Sequence, residues 1–397
     1  MRIALLTDVY VPFISGVTHA VALLSAALRR HGHEVTVFTS GRPQPGDAAD
    51  DVFRQPGLPL GRTGYSVLLS YPPAWSARLR AMDIIHIHHP FGSGRLAIRY
   101  ADGLPIPLVY TNHTRYDLYA KVYTPWPVSW VAPELARRYL RWFTLRMDAV
   151  IAPAPSLRRR LEEWGVRVPV DVVPNGVDLD PLRKARSADR AVFGLPRGAM
   201  VLVFVGRLGE EKNLRFLLQV FVHLAGRDTR AHLLLVGDGP ERGPLEGIAR
   251  AAGLEGRVHF PGKIPRERVP SYLALGDVFV TSSVTEVHPL AVLEAIGAGL
   301  PVVGVRAPGV EDIVIHNVNG LLCGADPEEM AADLARLLQD PERLRSLAEG
   351  AARSAEDYSI ETTARRTLEI YTRCLADRRR SPGRRASAAK RQEADRP

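Results

Sequence analysis

The chain has 397 residues, of which 46% are hydrophobic and 24% are charged, and this composition is typical of a soluble globular protein. A single core seldom grows to this length, so two domains are expected. The two cysteines, Cys323 and Cys374, argue against a disulfide framework and fit a reducing cytoplasm. Thr7 and Asp8 interrupt the apolar N-terminal run, which indicates a first β-strand rather than a signal peptide.

The positive charge is concentrated at the C-terminal end. The formal net charge is +9, and residues 377–397 hold eight Lys or Arg against three acidic residues, so +5 lies there and +4 elsewhere. The body of the protein is therefore only mildly basic, and no nucleic-acid partner is expected. Residues 377–397 are predicted to be a disordered basic tail, which is either a solubilising end or a segment attracted to anionic lipid head groups.

Apolar runs alternate with helical patterns along the chain. Residues 2–8 and 34–39 flank a helical pattern and predict a β-α-β unit. Further strands are predicted within residues 81–90, 107–113, 148–155, 199–208, 232–240, 257–263, 277–283 and 301–309. This α/β alternation predicts two Rossmann-like domains with doubly wound parallel sheets, facing a central cleft. The expected boundaries are 1–178, 179–359, a C-terminal helix at 360–376 that returns to the N-terminal domain, and the tail.

In open α/β sheets, ligands bind outside the carboxyl ends of the strands, and several candidate residues of the first half are expected there. Gly16 follows the first strand and precedes a helix, so its backbone could approach a phosphate, or it could belong to an ordinary turn. The loop lacks the GxGxxG pattern of nicotinamide-dependent dehydrogenases. His113 directly follows a strand and is either a hydrogen-bond donor to a substrate or a satisfied histidine beneath a loop.

The HIHH run raises the question of a metal site. His86 and His88 share one face of a strand, whereas His89 lies on the other. No cysteine or carboxylate cluster accompanies these histidines, so a zinc site is not favoured.

In the second half, VGRLGEEKNL carries Arg207 and Lys212 just after a strand. Two cations there suit a diphosphate, and the alternative, a solvated helix start, is opposed by the helix dipole. The chain lacks the GxxxxGK[ST] pattern of a P-loop. Gly262 and Lys263, in PGK, either expose backbone groups to the edge of a flat base or form a simple turn.

The stretch TEVHPLAVLEA contains Glu286 and Glu294, eight positions apart, where a strand gives way to a helix. Both carboxylates are either solvated surface charges or ligands for a molecule rich in hydroxyl groups.

Taken together, residues 2–375 resemble the family 4 retaining glycosyltransferases, which have the GT-B fold. The most specific parts are VGRLGEEKN, GDGP, FPGK and TEVHPLAVLEAIGAGLPVV, in that order. TDVYVPFISGV, HIHHPF and YTNHTRYDLY are similar to the branch that contains bacterial diacylglycerol glucosyltransferases and phosphatidylinositol mannosyltransferases.

The resemblance implies an acceptor-side N-terminal domain and a C-terminal domain that binds the nucleotide sugar. It implies that Arg207 and Lys212 hold the diphosphate, that Glu286 lies beside the donor sugar, and that Glu294 accepts hydrogen bonds from the ribose hydroxyls. The remaining implied roles are sugar contact near the reacting carbon for His113, approach to the diphosphate for Gly16, nucleobase contact for Gly262 and Lys263, and donor binding for His288, Pro289 and Leu290.

One position departs from the family pattern. Many members have Gly where this chain has Pro289, and an aromatic residue or Gln where it has His288. Proline has no N–H to donate, so donor preference should not be copied from a relative.

The expected function is retaining transfer of a hexose from a nucleotide sugar, of the UDP-glucose or GDP-mannose type, to an acceptor hydroxyl on a membrane glycolipid precursor. The alternatives are a soluble sugar or polyol acceptor, a non-catalytic nucleotide-sugar-binding protein, and a nucleotide-sugar epimerase. The nucleotide sugar is a co-substrate, and neither a cofactor nor an obligatory metal is expected.

The lipid acceptor is suggested by residues 133–146, which carry Leu135, Tyr139, Trp142 and Phe143 at helical spacing, with Arg137, Arg138 and Arg141 on another face. Such a segment is either a membrane-interface helix or a core-facing helix with a solvated back. Aromatic residues within 123–130 add to the first alternative. The expected location is cytoplasmic, with peripheral association at the inner face of the membrane.

Overall fold

The computed structural model describes residues 1–13, 15–49, 51–59, 66–68, 70–118 and 128–380. These residues form two compact units. Unit 1 contains residues 1–176 together with the C-terminal helix that begins at residue 360, and unit 2 contains residues 177–359.

Unit 1 is built on a parallel sheet of seven described strands in the order β3-β2-β1-β6-β7-β8-β9. The strands are β1 (Arg2–Thr7), β2 (Glu34–Ser40), β3 (Val52–Gln55), β6 (Ile84–Ile87), β7 (Leu108–Thr111), β8 (Ala149–Ala152) and β9 (Val170–Val172), and a separate antiparallel pair is formed by β4 (Leu58–Pro59) and β5 (Ser66–Val67). Its helices are α1 (Gly16–Arg30), α2 (Pro73–Arg80), α3 (Gly92–Ala101), α4 (Ala132–Thr144), α5 (Pro155–Glu163) and α13 (Ile360–Arg380).

The C-terminal helix α13 belongs to the core of unit 1. Ile360, Tyr371 and Cys374 are buried in the same apolar cluster as the first strand. The helix continues four residues beyond the expected end at 376, because Arg378 is buried and its guanidinium donates to the Asp148 carboxylate at 3.1 Å. The expectation that the tail begins at 377 is therefore wrong for residues 377–380, and the rest of the predicted tail lies outside the described residues.

Unit 2 contains a parallel sheet of six described strands in the order β12-β11-β10-β13-β14-β15. The strands are β10 (Met200–Val205), β11 (Ala231–Val236), β12 (Val258–Gly262), β13 (Val278–Thr281), β14 (Val302–Val305) and β15 (Gly320–Cys323). The helices are α6 (Leu179–Lys184), α7 (Leu214–Arg227), α8 (Arg242–Ala251), α9 (Val269–Leu273), α10 (Leu290–Gly297), α11 (Pro327–Leu338) and α12 (Pro341–Ser354).

The predicted doubly wound parallel architecture is confirmed in each unit. In both sheets the strand order reverses beside the first strand, between β1 and β6 in unit 1 and between β10 and β13 in unit 2. These are the topological switch points, where ligands of open α/β sheets bind.

Helix α4 differs from the face assignment made on the sequence. Phe143 is buried and the Tyr139 hydroxyl donates to the Pro90 carbonyl at 2.6 Å, whereas Leu135 and Trp142 are exposed. The prediction of one shared aromatic face is wrong, because the buried side of the helix passes through residues 132, 140, 143 and 144. Of the predicted aromatic segment at residues 123–130, residues 123–127 lie outside the described residues. Among the described helices, none is both long and apolar enough to cross a membrane.

Candidate active site

In unit 2, the loop after β10 is bonded to the loop after β13. The Ser282 hydroxyl donates to the carbonyls of Lys212 and Asn213, at 2.9 Å each, and the Ser283 hydroxyl donates to the Glu211 carbonyl at 3.1 Å. These bonds cross the switch point between β10 and β13. They hold the segment with the predicted cations against the segment with the predicted carboxylates.

Two glycines let backbone segments approach each other closely around this point. A Cβ atom on Gly237 would overlap the Gly206 carbonyl, and one on Gly309 would overlap the Glu286 carbonyl. Both residues have positive φ, 144° and 85°, which L side chains rarely adopt. The position of the Glu286 backbone thus depends on the absence of a side chain at residue 309.

The predicted cation Lys212 and the predicted carboxylate Glu286 are joined directly. The Lys212 ammonium forms an ion pair with Oε1 of Glu286, and the two side chains are 22% and 23% exposed. Because both are partly shielded from water, their attraction is stronger than that of a surface pair.

Arg207 is held more loosely than Lys212. Its side chain is 63% exposed, and its guanidinium lies 4.0 Å from the Glu211 carboxylate. An exposed pair at this distance contributes little to stability, so Arg207 can turn towards an anionic ligand at small cost.

Glu294 lies on α10, and its side chain is only 11% exposed. Burial raises the pKa of this carboxyl, and the neighbouring guanidinium of Arg266 opposes that rise. Arg266 forms an ion pair with Oε1 of Glu294. The sequence reasoning did not identify Arg266, although a buried glutamate requires a hydrogen-bonded partner or a counter-ion.

The residues between the two glutamates form the start of α10. His288 is buried, and burial lowers its pKa to about 4 against the opposing charge of Asp312, so the imidazole is neutral near neutral pH. Pro289 precedes the first turn, and its carbonyl accepts from the amide of Val292 at 3.1 Å. Leu290 begins the helix and packs partly buried against the core of unit 2.

Gly262 and Lys263 lie at the carboxyl end of β12. The Gly262 carbonyl accepts from the amide of Gly237 at 3.0 Å, so it is used in binding the neighbouring loop. The Lys263 side chain is exposed.

In unit 1, the predicted residues lie on two different elements. Gly16 is the first residue of α1, and the Ser15 hydroxyl caps this helix by accepting from the amide of Thr18 at 3.1 Å. His113 follows β7, and its Nε2 lies 3.0 Å from Nδ1 of His88. Burial, reinforced by His89, lowers the pKa of His113 to about 3, so it is neutral near neutral pH.

His86 and His88 project from the same side of the sheet, with ring centroids 4.2 Å apart, whereas His89 bonds to the Thr7 hydroxyl. In the part of the chain that the structure describes, no three His, Cys, Asp or Glu side chains are grouped as a metal ion requires.

The two α/β units, each matched by a glycosyltransferase family model, define a two-domain glycosyltransferase. The family model described as "Glycosyltransferase Family 4" matches residues 14–181, and the model described as "Glycosyl transferases group 1" matches residues 185–354. Among solved structures, HepE of Anabaena in complex with UDP has a TM-score of 0.73 at 19% identity, covering 94% of this chain and 100% of that one. Sucrose-phosphate synthase of Thermosynechococcus elongatus has a TM-score of 0.75 at 22% identity, covering 95% and 99%. These likenesses show the GT-B fold.

Two relatives are similar along most of their length. The chain is 27% identical over 387 residues to alpha-monoglucosyldiacylglycerol synthase of Streptococcus pneumoniae, covering 94% of this chain and 85% of the relative. It is 30% identical over 403 residues to D-inositol 3-phosphate glycosyltransferase of Kineococcus radiotolerans, covering 91% of each. The chain therefore belongs to the family 4 glycosyltransferases. The expected activity, retaining hexosyl transfer from a nucleotide sugar, is confirmed at the level of this family.

Proposed function

We propose that the protein transfers a hexose to the hydroxyl of a diacylglycerol-type lipid, and that unit 2 binds the nucleotide-sugar donor. The observation that carries the donor site is the Lys212–Glu286 ion pair, with the exposed guanidinium of Arg207 in the same loop as Lys212. Cations adjoin a carboxylate there, as a diphosphate next to a sugar requires. Glu294 would accept from the ribose hydroxyls, and the backbone at Gly262 and Lys263 would meet the nucleobase.

In this proposal, the protein accelerates the reaction mainly by electrostatic stabilisation of the transition state. Negative charge grows on the diphosphate as the glycosidic bond breaks, so Arg207 and Lys212 stabilise the transition state more than the ground state. The backbone at Lys212 is held by a hydrogen bond from Ser282, which limits reorganisation of that residue during the reaction. We propose that they neutralise the diphosphate without an obligatory metal ion, so transfer should continue in EDTA.

Glu286 is proposed to bind and orient the donor sugar. Glu286→Gln preserves the size of the side chain while removing its charge. The expected result is normal affinity for the nucleoside diphosphate and a fall in kcat of about 100-fold, similar to the loss of an electrostatic transition-state contact. Unchanged turnover would remove Glu286 from the site.

Arg207→Ala tests the phosphate contact, with Arg215→Ala as the matched control. Both arginines lie in unit 2 with exposed side chains, and Arg215 is paired with Glu241. Only Arg207→Ala is expected to weaken nucleoside diphosphate binding, by about tenfold, since a charge-assisted hydrogen bond is worth ~1.5–3 kcal/mol. Equal affinities of the two variants would contradict the assignment.

The lipid acceptor is supported by two observations. One is the similarity along 94% of the chain to a glucosyldiacylglycerol synthase. The other is the exposed surface at the start of α4, where Trp130 is 79% exposed and Val131 and Leu135 are more than half exposed. Arg138 is also exposed on this helix. We propose that this surface, together with Trp142, rests on the cytoplasmic face of the membrane, where apolar and basic side chains favour an anionic interface.

Vesicle co-sedimentation tests this contact. Leu135→Ser should reduce binding to vesicles containing phosphatidylglycerol, while Val192→Ser, at another exposed apolar position in unit 2, should not. Equal binding of both variants would contradict membrane contact through α4.

A second acceptor class is favoured by one specific finding. A D-inositol 3-phosphate glycosyltransferase matches 91% of the chain at 30% identity. Transfer to a soluble polyol phosphate is therefore the alternative, and it predicts product formation that does not depend on vesicles. His113 as the sugar contact and Gly16 as the diphosphate contact belong to both proposals.

A further inference from the structure

Unit 1 contains a cluster of buried histidines at the carboxyl ends of β6 and β7. His86 is fixed at both ring nitrogens. Its Nδ1 lies 2.6 Å from the Tyr371 hydroxyl, and its Nε2 lies 2.6 Å from the Thr111 hydroxyl. Since both partners are themselves buried, the ring has little freedom to rotate.

His88 lies between this fixed ring and His113. Its ring centroid lies 4.2 Å from that of His86 and 5.3 Å from that of His113. Nδ1 of His88 is 3.0 Å from Nε2 of His113. The proposed donor contact His113 is thus supported by a residue that is 2% exposed and cannot itself reach bulk solvent.

The surroundings of Nε2, the second ring nitrogen of His88, indicate which nitrogen of this ring carries the proton. Nε2 of His88 is buried without a hydrogen-bond partner among the described residues, and the residue lines a cavity with room for about one water molecule. A neutral imidazole carries a single N–H. With the proton on Nε2, His88 would need a water molecule in that cavity as its acceptor, whereas with the proton on Nδ1 it donates to His113, an acceptor that is already present. The proton of His88 is therefore placed on Nδ1.

This assignment fixes the state of His113. When Nδ1–H of His88 donates to Nε2 of His113, the neutral His113 must carry its own proton on Nδ1. No described residue bonds to that nitrogen, so it can donate to a ligand. Burial lowers the pKa of both His88 and His113, which keeps both rings neutral near neutral pH.

We propose that His88 is a positioning residue that holds His113 in the Nδ1–H tautomer, so that this N–H can donate to a hydroxyl of the transferred sugar. The inference rests on the proposed sugar contact of His113. On this proposal, His88 affects turnover only through its hydrogen bond to His113.

Two substitutions of equal size separate the hydrogen bond from packing. In His88→Asn the side-chain amide nitrogen occupies nearly the place of Nδ1 and can donate to His113, whereas His88→Leu has the same shape and no donor. His88→Leu is expected to lower kcat by about tenfold or more, and His88→Asn to restore most of that loss. Equal kcat values for the two variants would overturn the proposal. Thermal unfolding of each variant shows that the compared proteins are folded.

A double-mutant cycle tests whether the effect passes through His113. In a His113→Ala background, His88→Leu should change kcat by less than about twofold, because the group that it positions is absent. A loss as large as in the wild-type background would assign His88 a structural role and overturn the inference. If His113→Ala itself retained full turnover, the proposed sugar contact would fail as well.

A direct readout does not depend on activity. Nitrogen-15 NMR of histidine-labelled protein distinguishes ring tautomers, and the spectra of the His88→Asn and His113→Ala variants assign the two residues among the 12 histidines. The expected spectrum shows His113 protonated at Nδ1 in wild type. Protonation at Nε2 of His113 would overturn the inference even if His113 proves essential for transfer.

Discussion

Replacing Glu294 with Gln should weaken nucleotide binding without destabilising unit 2. The carboxylate lies on α10 with its side chain 11% exposed, and its ionised form is held by Arg266. Burial raises the pKa of Glu294, which means that keeping it charged costs folding free energy. A neutral amide of the same size removes this cost, and the half-exposed Arg266 can turn to solvent, so the melting temperature should be unchanged or higher.

The loss of affinity can be estimated from the hydrogen bonds. A charged acceptor contributes ~1.5–3 kcal/mol per hydrogen bond, and Gln retains one neutral acceptor, so a net loss of about 2 kcal/mol is expected. This loss corresponds to a rise in Kd of about 30-fold. Titration calorimetry with the nucleoside diphosphate measures it directly.

The ligand supplies the control for this experiment. A 2′-deoxynucleoside diphosphate should bind wild type more weakly than the ribose form, whereas Glu294→Gln should discriminate between the two by less than about threefold. An unchanged Kd for Glu294→Gln would refute the assignment of Glu294 to the ribose. The assignment would also fail if the losses of binding free energy from the substitution and from removal of the 2′-hydroxyl simply added.

Two other predictions concern backbone position and pH. Gly309→Ala should lower turnover by about tenfold, because a Cβ there overlaps the Glu286 carbonyl. The control is Gly299→Ala, at a position with a similar positive φ and open space around it, which should cost only the backbone strain of ~1–2 kcal/mol in stability. Equal turnover of the two variants would contradict the reasoning. In the folded protein the pKa values of His86 and His113 are lowered to about 3. In the unfolded chain a histidine has a pKa of ~6.5. As the pH falls below that value, the two histidines therefore bind protons in the unfolded chain but not in the folded protein. Each histidine should therefore remove about 2 kcal/mol of stability between pH 7 and pH 5. Denaturant unfolding of unit 1 that is independent of pH over this range would show that the histidines are not buried in their neutral forms.

The central strands were predictable because they are buried on both faces and consist of uninterrupted apolar residues. The sequence did not reveal the short antiparallel pair β4 and β5. In the two parallel sheets it did not reveal β3, β9 and β15, which all lie at sheet edges. Edge strands pair on one side only, and β3 and β9 are partly exposed, so their sequences VFRQ and VDV carry a weak apolar signal. The length of α13 was underestimated because Arg378 is charged, although it is buried against Asp148.

The candidate site was predictable where a motif is continuous in the chain. Glu286 and Glu294 stood out because they fall within one strand-to-helix segment. Arg266 was not identified, because it lies 28 positions from Glu294. Lys212 was identified as a cation, but its pairing with Glu286, 74 positions away, was not. Such pairs are brought together by parallel strands with long crossovers, and a single sequence holds no record of which distant residues meet.

The proposed transfer to a lipid is tested by a mass-spectrometric assay with UDP-glucose, UDP-galactose, UDP-N-acetylglucosamine and GDP-mannose. Each donor is supplied with plain vesicles, with vesicles containing diacylglycerol or phosphatidylinositol, and with soluble inositol 3-phosphate. A hexosyl-diacylglycerol is expected, formed from one of these donors and only when diacylglycerol vesicles are present. A product on inositol 3-phosphate alone would contradict the lipid acceptor, and the absence of any cleaved donor would contradict the proposed transfer itself.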